Sequence, residues 1–100
     1  PLISDPGYKL VRAAVDSDIA VTSLPGASAP ITALAAAGLP TDRFFFAGFL
    51  PSRTAARRRA LSLVENVSAT LVFFESARRL AASLQDMHAV LGLRQAVVAR

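Results

Sequence analysis

Apolar and polar positions along the chain switch repeatedly between a helical and an extended period. Asp5-Pro6-Gly7 predicts a helix start, with Asp5 as N-cap and Pro6 at the first helical position. Leu10, Val11, Ala14 and Val15 then share one helical face, and Asp16-Ser17-Asp18 ends the run. Ile19-Ala20-Val21-Thr22 predicts a short buried strand. After the loop Leu24-Pro25-Gly26-Ala27, Ser28 is placed to cap a second helix that reaches about Ala37 and is stopped by Gly38 and Pro40. Phe44 to Phe49 predicts a strand dense in aromatic residues. Pro51-Ser52 opens a third helix whose stripe is Ala56, Ala60, Leu63, Val64 and Val67. Ala69 to Phe74 predicts a buried strand. A fourth helix follows, capped by Ser76, with Leu80, Leu84, Met87 and Leu91 on its inner face and Gly92 at its end. Gln95 to Arg100 predicts a last strand.

Short apolar strands alternating with helices define an α/β protein. The weakest point for packing is Gly38–Arg43, where Gly, Pro and a charge pair separate two apolar runs. It divides the chain into residues 1–43 and residues 44–100. The 100 residues are 53% hydrophobic and 18% charged, which excludes disorder driven by charge. No run of about 18 apolar residues is present, so no membrane span is predicted, and no signal peptide is visible. The location expected by default is cytoplasmic. The absence of Cys excludes disulfides, thiolate metal sites and a thiol nucleophile, and the single His88 cannot build a metal site. The chain opens inside an apolar segment at Pro1 and stops in Val97-Val98-Ala99-Arg100, so the expectation is a piece of a longer protein.

Charge is unevenly placed. In the first fifty residues Lys9, Arg12 and Arg43 face Asp5, Asp16, Asp18 and Asp42, net −1; the second fifty carry eight arginines against Glu65, Glu75 and Asp86, net +5. Four segments could carry chemistry. Pro1-Leu2-Ile3-Ser4-Asp5-Pro6-Gly7 and Leu24-Pro25-Gly26-Ala27-Ser28-Ala29 are turns that open helices. Each is either a plain helix start or a place where free N–H groups and small residues admit a ligand. Ser52-Arg53-Thr54-Ala55-Ala56-Arg57-Arg58-Arg59 is either a solvated helix face or an anion-binding cluster suited to RNA phosphate. In Phe73-Phe74-Glu75-Ser76-Ala77-Arg78-Arg79, two cations in a first helical turn oppose the helix dipole. They call for an external anion or for pairing with Glu75.

Seven runs, in this order, resemble the tetrapyrrole-methylase superfamily. They are Pro1 to Gly7; Leu24 to Ala29; Gly38-Leu39-Pro40-Thr41-Asp42-Arg43-Phe44; Gly48-Phe49-Leu50-Pro51; Arg57-Arg58-Arg59; Thr70 to Ser76; and Val97 to Arg100. Within that superfamily the chain is most similar to the branch that methylates ribose 2′-hydroxyls of small-subunit (16S) ribosomal RNA. The family usually has Pro where Ala27 stands, and Pro-His where Ala77-Arg78 stand, so a positive site is kept there without an imidazole.

The resemblance implies two α/β domains with an S-adenosylmethionine cleft between them. Residues 1–43 would be the end of the first, cofactor-binding domain, and residues 44–100 the start of the second. It implies Ile3, Ser28, Ala29, Phe74 and Glu75 beside the cofactor, the small (30S) ribosomal subunit as partner, and a homodimer. Arg53, Arg57, Arg58, Arg78 and Arg79 are the expected RNA contacts, on charge alone. No catalytic base is identified, and no metal is expected. The expected reaction is methylation of a cytidine ribose. The alternatives are methylation of a corrin or porphyrin precursor, or a dimerising α/β module without activity.

Overall fold

The computed structural model describes all of residues 1–100. Its elements are α1 (Tyr8–Asp16), α2 (Ala29–Ala37), β1 (Phe44–Phe49), α3 (Thr54–Ser62), β2 (Thr70–Phe74) and α4 (Leu80–Leu91). The α/β class stands. β1 and β2 form one parallel pair with α3 as the crossover, as parallel pairing requires. α3 and α4 pack on each other, so residues 44–91 form a β-α-β-α unit. No helix is long and apolar enough to cross a membrane.

Two expected strands are not formed. Residues 19–22 and 95–100 belong to no strand ladder, and Ile19, Val21, Val97 and Val98 are all half exposed or more. A strand exists through its neighbour, and periodicity does not reveal whether a neighbour is there. The first helix also starts later than expected: Gly7, not Asp5, is its N-cap, and α1 buries no residue. α2 agrees with expectation. Ser28 is its N-cap position, Pro30 lies in its first turn, and Gly38 ends it in the left-handed conformation that glycine adopts without steric cost.

The larger corrections concern which faces are buried. On α3 the expected stripe holds except at one position: Val64 is buried and Ala56, Ala60 and Val67 are half-buried, but Leu63 is 84% exposed, and the deepest positions are Arg57 and Leu61. On α4 they are Ser83 and Asp86, while Leu80, Met87 and Leu91 are half-buried and Leu84 is exposed. Each helix carries buried polar groups on its inward face, Arg57 beside Leu61 on α3 and Ser83 with Asp86 on α4, as described below. Beneath them Leu50, Leu61 and Val64 form a small apolar core. Along the sheet Phe74 meets Phe46 edge to face at 5.0 Å and Phe49 at 5.4 Å, both within the favourable range for aromatic pairs.

The sheet carries one irregularity. The register runs Phe44↔Thr70 to Phe46↔Val72 and then skips Ala47, so that Gly48 pairs with Phe73. Gly48 makes this bulge with φ +67° and is buried. Its bare Cα is where Ser4 approaches: a Cβ at Gly48 would stand 2.5 Å from Ser4 Oγ. This contact ties the Pro1–Gly7 segment to the carboxyl end of β1.

Candidate functional site

In an open parallel sheet the carboxyl ends of the strands are where ligands bind. Here β1 ends in Leu50-Pro51-Ser52 and β2 ends in Glu75-Ser76, and the amino ends of α3 and α4 start beside them. The opposite end of the sheet carries an open cleft of about 330 Å³ lined by Pro40, Asp42, Arg43, Ser68, Ala69 and Thr70. Thr70 N–H donates to Arg43 O there at 3.0 Å and Thr70 Oγ1 to Pro40 O at 2.5 Å. These bonds hold residues 40–43 against the start of β2.

Two ion-pair clusters stand at the carboxyl end. In the first, Arg57 Nε and Nη2 both lie 2.6 Å from Asp86 Oδ2, and Arg58 Nε donates to Asp86 Oδ1 at 2.7 Å. Arg57 and Asp86 are each 3% exposed, while the Arg58 side chain is half exposed. Arg57 Nη1 also donates to Ser52 O at 3.0 Å. In the second cluster, Glu75 Oε2 accepts from Ser83 Oγ at 2.6 Å and Oε1 from Ser76 N–H at 2.7 Å. Arg79 Nε stands 3.2 Å from Glu75 Oε1, and Arg79 Nη2 donates to Leu50 O at 2.5 Å.

Both carboxylates are biased toward the charged state. The Arg58 hydrogen bond, with that of Arg57 and both guanidinium charges, holds Asp86 below the ordinary carboxylate value against the desolvation that raises it. Desolvation raises Glu75, but Ser83, the Ser76 N–H and Arg79 together outweigh it and keep its carboxyl low. A carboxylate depressed in the folded state stabilises above its unfolded value, about 3.9 for Asp and 4.3 for Glu, and loses that stabilisation as pH falls through the folded value. The melting temperature should therefore be nearly flat from pH 7 to 5 and fall below about pH 4. A melting series from pH 7 to 2.5 checks this; for Asp86→Asn the acid limb should be visibly shallower than for wild type.

The expected RNA contacts divide accordingly. Arg57 is not presented to solvent: a guanidinium placed within an apolar helix–helix contact needs a counter-charge, and Asp86 provides it. Arg79 is engaged by Glu75 and by Leu50 O, the first being one of the two partners its position allowed. It is also the N-cap residue of α4, and neither it nor Arg78 lies inside the helix. Ser76 closes a turn through Ser76 O and Arg79 N–H at 3.0 Å and does not cap α4. Arg53, Arg59 and Arg78 are exposed and make no side-chain hydrogen bond or ion pair within the chain; Arg58 keeps half its surface in solvent.

Of the positions expected beside a cofactor, Ile3 is 54% exposed, one residue from the Ser4–Gly48 contact. Phe74 and Glu75 are half-buried at the end of β2. Ser28 O accepts from Thr32 N–H and Oγ1 at 2.9 and 2.8 Å, and Ala29 is exposed at the first position of α2. No extended packing joins α2 to the sheet. Sequence reasoning missed Asp86 and Ser83. Asp86 is the one acidic residue of α4, a helix that packs on the arginine-rich α3, and that complementarity was the available signal.

The family model of the tetrapyrrole (corrin/porphyrin) methylases matches residues 1–100, and the chain belongs to that family. Among curated relatives, proteins named ribosomal RNA small subunit methyltransferase I are similar over essentially the whole chain. The one from Micromonospora olivasterospora is 52% identical over 100 residues, and the one from Escherichia coli O157:H7 is 54% identical over 98. That from Pseudomonas aeruginosa is 54% identical over 101 aligned positions. The chain spans about a third of the length of these relatives: 32%, 34% and 36% respectively.

Proposed function

We propose that the protein carrying this chain is an S-adenosylmethionine-dependent methyltransferase of small-subunit ribosomal RNA. The finer reading is methylation of a cytidine 2′-hydroxyl. The observation that carries the proposal is identity of about half over the full chain to relatives of that name. The division at residue 43 into the end of a cofactor domain and the start of a second domain belongs to the same reading.

S-adenosylmethionine supplies a methyl group activated by its sulfonium and a neutral thioether leaving group. The residues present suit such a molecule. Ile3 and Phe74 offer apolar surface, Ser28 and Ala29 are small enough to sit against a flat ring, and Gly48 lets the Ile3–Ser4 segment approach the sheet. Glu75 would contribute through its main chain, since both its carboxylate oxygens already accept hydrogen bonds. Arg53, Arg58, Arg59 and Arg78 would meet RNA phosphates, fixing the substrate without reading its sequence.

Labelled-methyl transfer from S-adenosylmethionine to small ribosomal subunits that lack the modification tests the reading. A tetrapyrrole precursor run in parallel covers the wider family. Label recovered in an alkali-resistant dinucleotide is the expected result, because a 2′-O-methyl group blocks cleavage of the adjoining phosphodiester. In the same preparation, Arg53, Arg59 and Arg78 changed together to Gln should lower the salt slope of RNA binding by about 1 for each phosphate they had neutralised. Label confined to the tetrapyrrole overturns the RNA reading and reassigns those arginines to substrate carboxylates.

A further inference from the structure

The turn that follows β1 is held by side chains from two different helices. Leu50 O accepts from Arg79 at the start of α4, and Ser52 O from Arg57 in α3, whose Nη1 also lies 3.5 Å from Pro51 O. Each guanidinium is itself anchored, Arg57 by Asp86 and Arg79 by Glu75, and Glu75 in turn by Ser83. A device for stability alone needs only the buried pair. Nothing in it requires the spare nitrogens of both guanidiniums to converge on three consecutive carbonyls at the carboxyl end of a strand. An arginine fork suits this task because its planar donors point in fixed directions, whereas a Lys ammonium is a compact point charge without separate nitrogens to direct at Asp86 and Ser52 O.

We propose that Arg57, fixed by Asp86, is a positioning residue that sets the path of Leu50–Ser52 for a ligand bound over the carboxyl ends of β1 and β2, with Arg79 as its counterpart on α4. The inference rests on the methyltransferase reading for its catalytic consequence. Alignment of reacting atoms is sensitive to small displacements, so an unpinned turn should cost turnover more than substrate capture.

The test uses the whole protein carrying this chain, with three measurements on each variant: melting temperature, kcat and KM for RNA, and hydrogen exchange of the amides at residues 50–53. The double change Arg57→Met/Asp86→Leu replaces the buried pair by apolar groups of similar volume, which proteins commonly tolerate. Its melting temperature is expected within about 3 °C of wild type, while kcat falls about tenfold and KM for RNA moves less than about twofold. Exchange at residues 50–53 should rise. Arg57→Lys, which keeps the charge, should show the same loss of kcat and the same local exchange, and it serves if the double variant melts early. Wild-type kcat and exchange in either folded variant would overturn the proposal, as would a fall of about 1 in the salt slope of RNA binding, which would make Arg57 a phosphate contact. Failure of the wild-type protein to methylate RNA sinks the functional reading separately, because the exchange measurement decides the role of Arg57 in the turn without any acceptor.

Discussion

Asp86→Ala lowers the melting temperature by about 10 °C or more. The reason lies with what remains behind. Arg57 is 3% exposed and cannot swing to water without opening the contact between α3 and α4, so removing Asp86 leaves a buried cation without its counter-charge. Asp86→Asn should also destabilise, because the amide keeps one acceptor oxygen but loses the charge and turns its NH2 toward one of the two guanidiniums. Arg58→Ala should be mild by comparison, since Arg58 sits half in solvent and Arg57 still satisfies Asp86. The exposed Arg12–Asp16 pair one turn apart on α1 sets the lower end of the range: pairs of that kind are worth about 0.3–0.5 kcal/mol. Thermal melts of these variants order the effects. An Asp86→Ala melt within 2 °C of wild type, where 1 kcal/mol moves a domain of this size by about 4–8 °C, would show that the cluster contributes nothing to stability.

Gly48→Ala is expected to cost about 2 kcal/mol, from two separable sources. A residue with a Cβ at φ +67° meets the left-handed penalty of about 1–2 kcal/mol wherever it sits. The added carbon would also stand 2.5 Å from Ser4 Oγ and 3.8 Å from Ser4 Cβ. Ser4 is exposed and short, so rotation about its χ1 relieves the collision at small cost; the backbone strain does not relax. The double variant Ser4→Gly/Gly48→Ala, compared with Ser4→Gly alone, isolates the backbone share, and denaturant melts should show that most of the loss persists. Full recovery in that comparison would mean that the collision, and not the bulge geometry, makes glycine necessary.

The alternation of helix and strand was legible because it depends on local periodicity. The ends of α2 and α4 were legible because Gly38 and Gly92 carry their conformation in their residue type. What could not be read was anything decided by a partner. Ile19–Thr22 and Gln95–Arg100 have strand composition, yet strand pairing is a property of two segments. The stripe Ala56, Ala60, Leu63, Val64, Val67 is buried or half-buried except at Leu63, yet it left out Arg57 and Leu61, which lie deepest. Hydropathy ranks Arg as outward and has no means of knowing that Asp86 waits on α4. The same blindness affected the site. The arginines at positions 53, 57, 58, 78 and 79 form one group by charge, and only geometry divides them into those already engaged inside the protein and those facing outward. The pairing of Arg79 with Glu75 was foreseeable from their spacing of four residues; that of Arg57 with Asp86, 29 residues apart, was not.

That spacing has a consequence for the chain as it is made. Synthesis delivers β1, α3 and β2 in order, and domains fold from the amino end as they emerge. When Phe74 has been added, both strands are present, but Asp86 is still to come, and Arg57 lacks the carboxylate with which it is buried in the finished fold. A nascent chain halted there holds the components of the sheet with an unneutralised cation at the position of its core. The β-α-β-α unit thus becomes committed only when α4 has been translated, and its last helix, rather than its first strand, sets the moment at which the fold closes.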